Sequence, residues 1–541
     1  MTKILATVGP SCNTPEEFAQ LIEQGARVAR INFSHGTFDD FAVALHAVRE
    51  ASRLTGEVVG VLGDLSGPKI RVPKVAGDVM EVGQGELVEI TGDKTVAAYR
   101  DEDRGVTVIS SNYDKIVAEV DPGHRVLIDD GAVRLRVVDR KPVILGNGNG
   151  HVREEPRLIC EVEVGGKVSN KKGINLPDSE ISVPSLTDWD KECLKWAIAN
   201  EVDYLALSFV RKAEDISELN RELHKYGYDR KGQRGMGHMP IVAKIETPQA
   251  IADLDKICEK SNAVMVARGD LGVEMDLAEV PVIQKQIIQR AHGWGKPVIV
   301  ATQMLQSMID APVPTRAEVS DVAGAIMAGA DAVMLSGETA VGKYACEAVE
   351  VMARTARITE AGNEWEHEGT TNAPKKLRAN KYRTAALAHG VSVVVNDLQA
   401  KYVVVWTELG GTAQHISQNK LTVPIVALSS NLRTLRQMSL FFGVKPKLVE
   451  RPKTTEQFTA AIDKLFIEEN KWCDAGDPIV VCSGMPLGVP GVTNTIRIHY
   501  VGDVCKLNWT DADQGRGVVM KERESEPCVD VMKQIRMLYG S

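Results

Sequence analysis

The chain has 541 residues, 44% of them apolar, with 64 basic and 73 acidic residues and a net charge of −9. That composition excludes a disordered chain or a fibre, and the acidic balance argues against a protein whose main work is neutralising nucleic-acid phosphates, while leaving room for local positive patches. At roughly 150 residues per domain, three or four domains are expected.

The first 70 residues predict strand, helix, strand, helix, strand. Residues 3–8 form a short apolar run. Thr14-Pro15-Glu16-Glu17 carries a hydroxyl N-cap, a proline at the first helical position and a Glu placed to close a capping box; Gly25 ends the helix. Runs at 27–33 and 58–65 flank a second helix near 38–55.

From about 72 to 181 the texture changes to Val- and Gly-rich alternation with turn signals at Asp121-Pro122-Gly123 and 146–150, which reads as an inserted all-β domain. Beyond Leu186, apolar runs at 202–210, 240–246, 263–270, 297–302 and 332–338 bring the strand count to eight. Alternating strands and helices make a parallel sheet, and eight of them suggest a closed (β/α)8 barrel, with an open doubly wound sheet as the alternative. After a helix around 345–359, a second α/β unit has strand-like runs at 402–406, 424–428, 478–482 and 496–501. A polar tail follows Cys505, with a short helix expected near 529–538.

Nine cysteines without a C-x-x-C pair read as buried apolar residues in a reducing compartment. No run nears the ~18 to 20 apolar residues of a membrane span, and no secretory h-region opens the chain, so a cytosolic location is expected.

In a β/α barrel the strand C-termini hold the active site. Here they carry Arg30, Asn32 and Ser34, then Asp64, Ser66, Lys69 and Arg71. Later strands end in Ser208 and Arg211, Lys244 and Glu246, Arg268, Gly269 and Asp270, Thr302 and Gln303, and Ser336 and Glu338. Lys244 and Glu246 lie two apart on a strand and point the same way. They fit a barrel-layer ion pair or one wall of a cavity. Asp270, at the next strand end, would lie near Glu246. Two converging carboxylates repel unless a hard cation such as Mg2+ or Mn2+ sits between them; a pair sharing one proton is the alternative. Arg30, Arg71, Lys244 and the metal would make a cationic pocket for a phosphate-bearing anion.

The strings Lys3-Ile-Leu-Ala-Thr-Val-Gly-Pro10, Arg30-Ile-Asn-Phe-Ser-His-Gly36, Asp64-Leu-Ser-Gly-Pro-Lys-Ile-Arg71, Lys172-Gly-Ile-Asn-Leu-Pro177, Ile241-Val-Ala-Lys-Ile-Glu246, Met265-Val-Ala-Arg-Gly-Asp-Leu-Gly272, Ala301-Thr-Gln-Met-Leu305 and Met334-Leu-Ser-Gly-Glu-Thr339 together resemble the pyruvate kinase family over about residues 1–503. The resemblance implies a (β/α)8 TIM barrel made of residues 1–71 and 182–363, a β-barrel lid at 72–181, an α/β domain at 364–505 and a C-terminal extension at 506–541. It implies phosphoryl transfer from phosphoenolpyruvate to ADP, giving pyruvate and ATP, and a homotetramer without nucleic-acid or membrane partners.

Carried over by position, Glu246 and Asp270 hold Mg2+ (or Mn2+), and the substrate carboxylate sits near the amides of Gly269 and Asp270. Arg30 and Lys244 stabilise charge on the phosphoryl group. Thr302, with water, relays a proton to enolpyruvate, a helix-capping threonine being the bland alternative. Asn32, His35, Arg71 and Lys172 face the nucleotide. Asn32, Ser34, Asp64 and Leu65 resemble the family's K+ site, but Leu65, Ser66 and Lys69 stand where K+-dependent members have Thr, Lys and Glu. A fixed Lys69 ammonium in place of K+ implies activity without it; a merely solvated Lys69 is the alternative. The turn 407–413, with Thr407, Gly410, Gly411 and Thr412, resembles the family's effector site, although Leu409 and Gly411 replace its usual Ser and Arg; a purely structural turn is the alternative. Two competing readings remain at this stage. A Mg2+-dependent carbon–carbon lyase gives no reason for the inserted lid, and a silent binding protein gives none for keeping Lys244, Glu246, Asp270 and Thr302 together.

Overall fold

The computed structural model describes residues 1–147, 151–228, 238–362, 374–379, 382–485 and 491–502. The expected tail helix near 529–538 lies outside these residues.

Eight parallel strands close into a barrel: β1 (Lys3–Thr7), β2 (Ala26–Asn32), β3 (Gly60–Leu65), β4 (Tyr204–Val210), β5 (Ile241–Ile245), β6 (Ala263–Ala267), β7 (Val298–Ala301) and β8 (Ala332–Leu335). β1 pairs with both β8 and β2, so the sheet has no edge. The open doubly wound alternative is thereby excluded. The first helix, Pro15–Gln24, starts at Thr14 with the expected reciprocal capping box and stops at Gly25, whose φ of 126° a side chain would resist. Behind β2 the rings of Phe33 and Phe41 meet at 4.9 Å, and the Trp189 indole donates to the Phe33 carbonyl at 2.9 Å. Such packing fixes the strand end that presents Arg30 and Asn32.

Between β3 and β4 the chain builds a seven-stranded sheet and a two-stranded ribbon around one apolar core containing Ile90, Ile109, Val126 and Leu158. Its longest strands, Val133–Asn147 and His151–Val164, form an extended antiparallel pair. The outgoing and returning segments run side by side: Val72 N–H donates to the Lys172 carbonyl at 2.9 Å and Ile174 N–H to the Ile70 carbonyl at 2.8 Å.

The C-terminal unit is a five-stranded sheet of β9 (Tyr402–Trp406), β10 (Ile425–Ser429), β11 (Val444–Leu448), β12 (Pro478–Gly484) and β13 (Thr493–Tyr500), in the order β11-β10-β9-β12-β13 with β13 antiparallel. Sequence reading missed β11. Its Lys445-Pro446-Lys447 is the chemistry of an edge strand, where proline costs no ladder bond and lysines discourage further pairing, and carries no apolar run to announce it.

This unit packs under the barrel floor. Asp331, just before β8, is fully buried there, taking Lys420 at 2.6 Å, His292 at 2.9 Å, the Val298 amide at 2.8 Å and Gln418 at 3.1 Å. All seven described cysteines are free, and six are buried. Among the described residues, no helix is long and apolar enough to cross a membrane.

Candidate active site

Parallel register builds the centre of the barrel mouth. Asn32 pairs with Asp64 and Asp64 with Ala206, so side chains from β2, β3, β4 and β5 rise into one layer. Arg30 grips Asp64 Oδ2 through Nε at 2.8 Å and Nη2 at 2.7 Å, and its Nη1 donates to Thr7 Oγ1 at 3.2 Å. Lys244 Nζ donates to Ser208 Oγ at 2.7 Å and lies 3.6 Å from Asp64 Oδ1 and 2.9 Å from Glu246 Oε1. Glu246 is fully buried, and its Oε2 accepts the Phe209 amide at 2.6 Å. Beyond that Lys244 ion pair, Glu246 Oε1 is buried with no further partner. Sequence reading had separated Arg30, as an anion-facing charge, from Asp64, as a monovalent-cation ligand. The structure joins them, because a buried carboxylate on the neighbouring strand needs a cation within reach.

The electrostatics of this layer are uneven. Burial alone would raise the Asp64 carboxyl, but Lys244 and Arg30 outweigh it and hold it below the usual range. Burial would likewise strip the proton from Lys244, yet Asp64 and Glu246 keep it charged. Glu246 goes the other way: burial raises its carboxyl, Lys244 opposes this, and the charge of Asp270 adds to the rise. One more positive charge between Glu246 and Asp270 would relieve that excess.

The buried Glu246 carboxylate, with Lys244 as its one cation, and the Asp270 carboxylate that acts on it therefore fit a hard divalent ion. Mg2+ is commonly held by only one or two carboxylates, with substrate and water completing its shell. Among the described residues, no cluster of three or more His, Cys, Asp and Glu that could hold a metal exists.

Asp270 sits in the first turn of the short helix Arg268–Glu274, directly after β6. The Gly269 amide, expected to face an anion, donates instead to Thr302 Oγ1 at 2.7 Å, and that hydroxyl donates to the Ala301 carbonyl at 2.6 Å. Thr302 has φ 68°, Gln303 φ 54° and, at the end of β4, Phe209 φ 53°. Left-handed backbone at a β-branched residue costs about 1–3 kcal/mol and concentrates where a site over-determines the chain. Here it turns the Thr302 hydroxyl toward the Gly269 end of the helix.

At the rim, Ser34, Ser66, Lys69, Arg71 and Trp189 line one cleft. His35 is exposed, and Asn32 Oδ1 accepts the Ser34 amide at 3.1 Å. Arg71 donates to the Lys171 carbonyl at 2.8 Å. Lys172 pairs with Asp129 at 2.9 Å. The Lys69 chain lies against Gly173, where a Cβ would meet its Cε at 3.0 Å.

Two site-proximal residues escaped sequence reading. Glu274 ends the helix that carries Asp270 in its first turn, and its Oε1 accepts from Asn175 Nδ2 at 2.7 Å. Burial pushes the Glu274 carboxyl to about 7; Asn175 pulls it down, and the charges of Asp270 and Glu246 raise it. The i, i+4 spacing from Asp270 was the available signal, since it puts both carboxylates on one helix face.

Far from the mouth, the turn before helix Gly411–Ser417 has both hydroxyls engaged. Thr407 Oγ1 accepts the Gly410 amide at 3.0 Å, and Thr412 Oγ1 meets Thr493 Oγ1 at 2.6 Å.

Comparison with known proteins agrees with this architecture. A family model for the pyruvate kinase barrel domain matches residues 1–349, and one for the pyruvate kinase alpha/beta domain matches residues 385–499. A pyruvate kinase of Mycobacterium tuberculosis is 40% identical over 501 residues, covering 93% of this chain and 98% of that protein. One of Corynebacterium glutamicum is 38% identical over 506 residues, covering 94% and 98%. The crystal structure of a pyruvate kinase from Cryptosporidium parvum superposes with a TM-score of 0.81 at 30% identity, covering 92% of this chain and 96% of that one. Matched along both its barrel and its C-terminal unit, the chain belongs to the pyruvate kinase family, phosphotransferases of glycolysis that use a divalent metal to convert phosphoenolpyruvate and ADP into pyruvate and ATP.

Proposed function

We propose that this chain carries out the family reaction with Glu246 and Asp270 as ligands of Mg2+ (or Mn2+) and with Arg30 and Lys244 as the fixed positive charges facing the transferring phosphoryl group. The observation that carries the reading is the fully buried Glu246 carboxylate, whose Oε1 faces only the Lys244 ammonium at 2.9 Å while the charge of Asp270 bears on it. When bound, the metal supplies fixed positive charge to phosphoryl and carboxylate oxygens. Arg30 and Lys244, anchored by Asp64 and Ser208, cannot swing away as charge develops, so little reorganisation is needed at the moment of transfer.

Enolpyruvate left after transfer needs a proton at carbon. Thr302 is the proposed relay, passing it from water through Oγ1; the close Gly269 amide orients that hydroxyl. The ADP side is assigned to the rim cleft of Ser34 and Arg71, with Asn32 and His35 beside it and Lys172 reaching it once released from Asp129. The lid at 72–181, hinged on the paired segments 70–72 and 171–174, excludes water that would otherwise compete as acceptor.

K+ is not required in this reading. Asp64 is already matched by Arg30 and Lys244, and Lys69 shares the cleft with Ser34 and Ser66. A homotetramer, a cytoplasmic location, the C-terminal unit at 364–505 and effector binding at 407–412 belong to the same reading. Pyruvate formation from phosphoenolpyruvate, followed with and without ADP and Mg2+, tests it in the parent chain and in Glu246→Gln and Asp270→Asn. Undiminished ADP-dependent turnover in either variant at ordinary Mg2+ refutes the metal assignment.

A further inference from the structure

The returning strap of the lid is gripped by residues that follow three consecutive barrel strands. Arg211, after β4, donates to the Ile181 carbonyl at 2.7 Å and also to the Val183 carbonyl. Gln249, after β5, donates to the Ser179 carbonyl at 3.3 Å. Glu274, after β6, takes Asn175 at 2.7 Å. The first two hold backbone and constrain little about what the lid side chains do.

The third grip differs in kind. It joins side chain to side chain, Asn175 Nδ2 donating to Glu274 Oε1, with Asn175 6% and Glu274 7% exposed and Asn175 Oδ1 buried without a hydrogen bond. Within the lid, Asn175 is locked into register opposite Leu127. Within the barrel, Glu274 is the last residue of a helix seven residues long that carries Gly269 and Asp270 in its first turn. A helix of two turns moves as one piece, so a displacement at either end is felt at the other.

We infer that the Asn175–Glu274 hydrogen bond is a latch that ties the position of the lid to the helix bearing Asp270, which makes Asn175 and Glu274 positioning residues for the reaction. The inference rests on the reading of Asp270 as a metal ligand. Engaging Asp270 sets the helix, the helix sets Glu274, and Glu274 draws the strap, and with it the lid, toward the mouth. Reciprocally, a lid settled on ADP steadies Asp270, as linkage between two sites demands.

Hydrogen exchange on the full chain, with Mn2+ and oxalate as probes, tests the latch by following two segments, 268–274 and 172–178. In the parent protein both segments are expected to slow when the probes are added. In Asn175→Ala and in Glu274→Ala, slowing persists at 268–274 and is lost at 172–178. Glu274→Gln keeps an oxygen that accepts from Asn175 and retains both responses. Equal slowing of 172–178 in all four proteins overturns the latch.

If 268–274 does not respond in the parent protein, the metal reading has failed, and a kinetic cycle then decides the latch separately. Half-saturation by ADP is expected to rise about three- to tenfold in each alanine variant and no further in the double variant, with kcat moving less. Effects that multiply in the double variant overturn the inference.

Discussion

The barrel holds buried charge at both ends, and the two ends treat it differently. On the floor, the oxygens of Asp331 are fully subscribed, by Lys420 and Gln418 on one side and by His292 and the Val298 amide on the other. At the mouth, Glu246 Oε1 has no partner beyond Lys244, its carboxyl is raised by burial and by Asp270, and the neighbouring strand ends turn through left-handed residues. A matched cluster needs nothing further and serves as a joint between barrel and C-terminal unit. One with an excess of negative charge, set beside left-handed strand ends, is the kind of cluster the proposed metal would complete.

The largest expected effect breaks the joint. Asp331→Ala leaves the Lys420 ammonium buried without its carboxylate and should lower stability by about 3–5 kcal/mol. Denaturant unfolding measures this, while turnover of the protein that remains folded stays near that of the parent.

The mouth should show the opposite signature. Lys244→Met removes a preorganised charge and should cost about 10² to 10³ in kcat, with a smaller change in the unfolding midpoint than Asp331→Ala gives. If the two variants exchange signatures, the distinction between joint and site is lost.

Thr302→Val, which removes the hydroxyl at nearly constant shape, should slow proton delivery to enolpyruvate by about 10² while phosphoryl transfer continues. Rapid-quench measurement of ATP against solvent-proton incorporation into pyruvate separates the two steps.

Acid offers a gentler test of the floor. Burial opposes the ionised form of Asp331, but Lys420 and His292 outweigh it and hold the carboxyl at about 2, whereas an unfolded Asp titrates near 4. Between those values the unfolded chain binds more protons, so this contribution is complete above about pH 4 and is lost as pH falls toward 2. Asp331→Asn should flatten that part of the stability profile. The smallest effect belongs to the rim: replacing K+ by a bulky organic cation at constant ionic strength should change kcat by less than about twofold. A strict K+ requirement would reopen the assignment of Lys69.

The barrel's eight strands and the polar residues at their C-terminal ends were legible because they are local or periodic, whereas the choice of a closed over an open sheet came from the pairing of β1 with both β8 and β2. Eight apolar runs fix eight strands, parallel pairing puts their polar C-terminal residues at one end, and Thr14 with Glu17 spells its own helix start. β11 was hidden because an edge strand of Lys-Pro-Lys buries too little to leave a pattern. Glu274 and Asn175 were hidden for another reason. Their meeting joins positions 99 residues apart, and nothing local in either segment indicates the other.

What the sequence determined by itself was which side chains reach the strand C-termini, since strand period is set by short-range apolar patterning and parallel strands bring those termini to one end. Which of those charges neutralise one another was decided only by the tertiary structure. Arg30 taking Asp64, Thr302 taking the Gly269 amide and Lys172 taking Asp129 depend on distances between strands and on the desolvation each group suffers. Those quantities exist only once the chain has closed on itself.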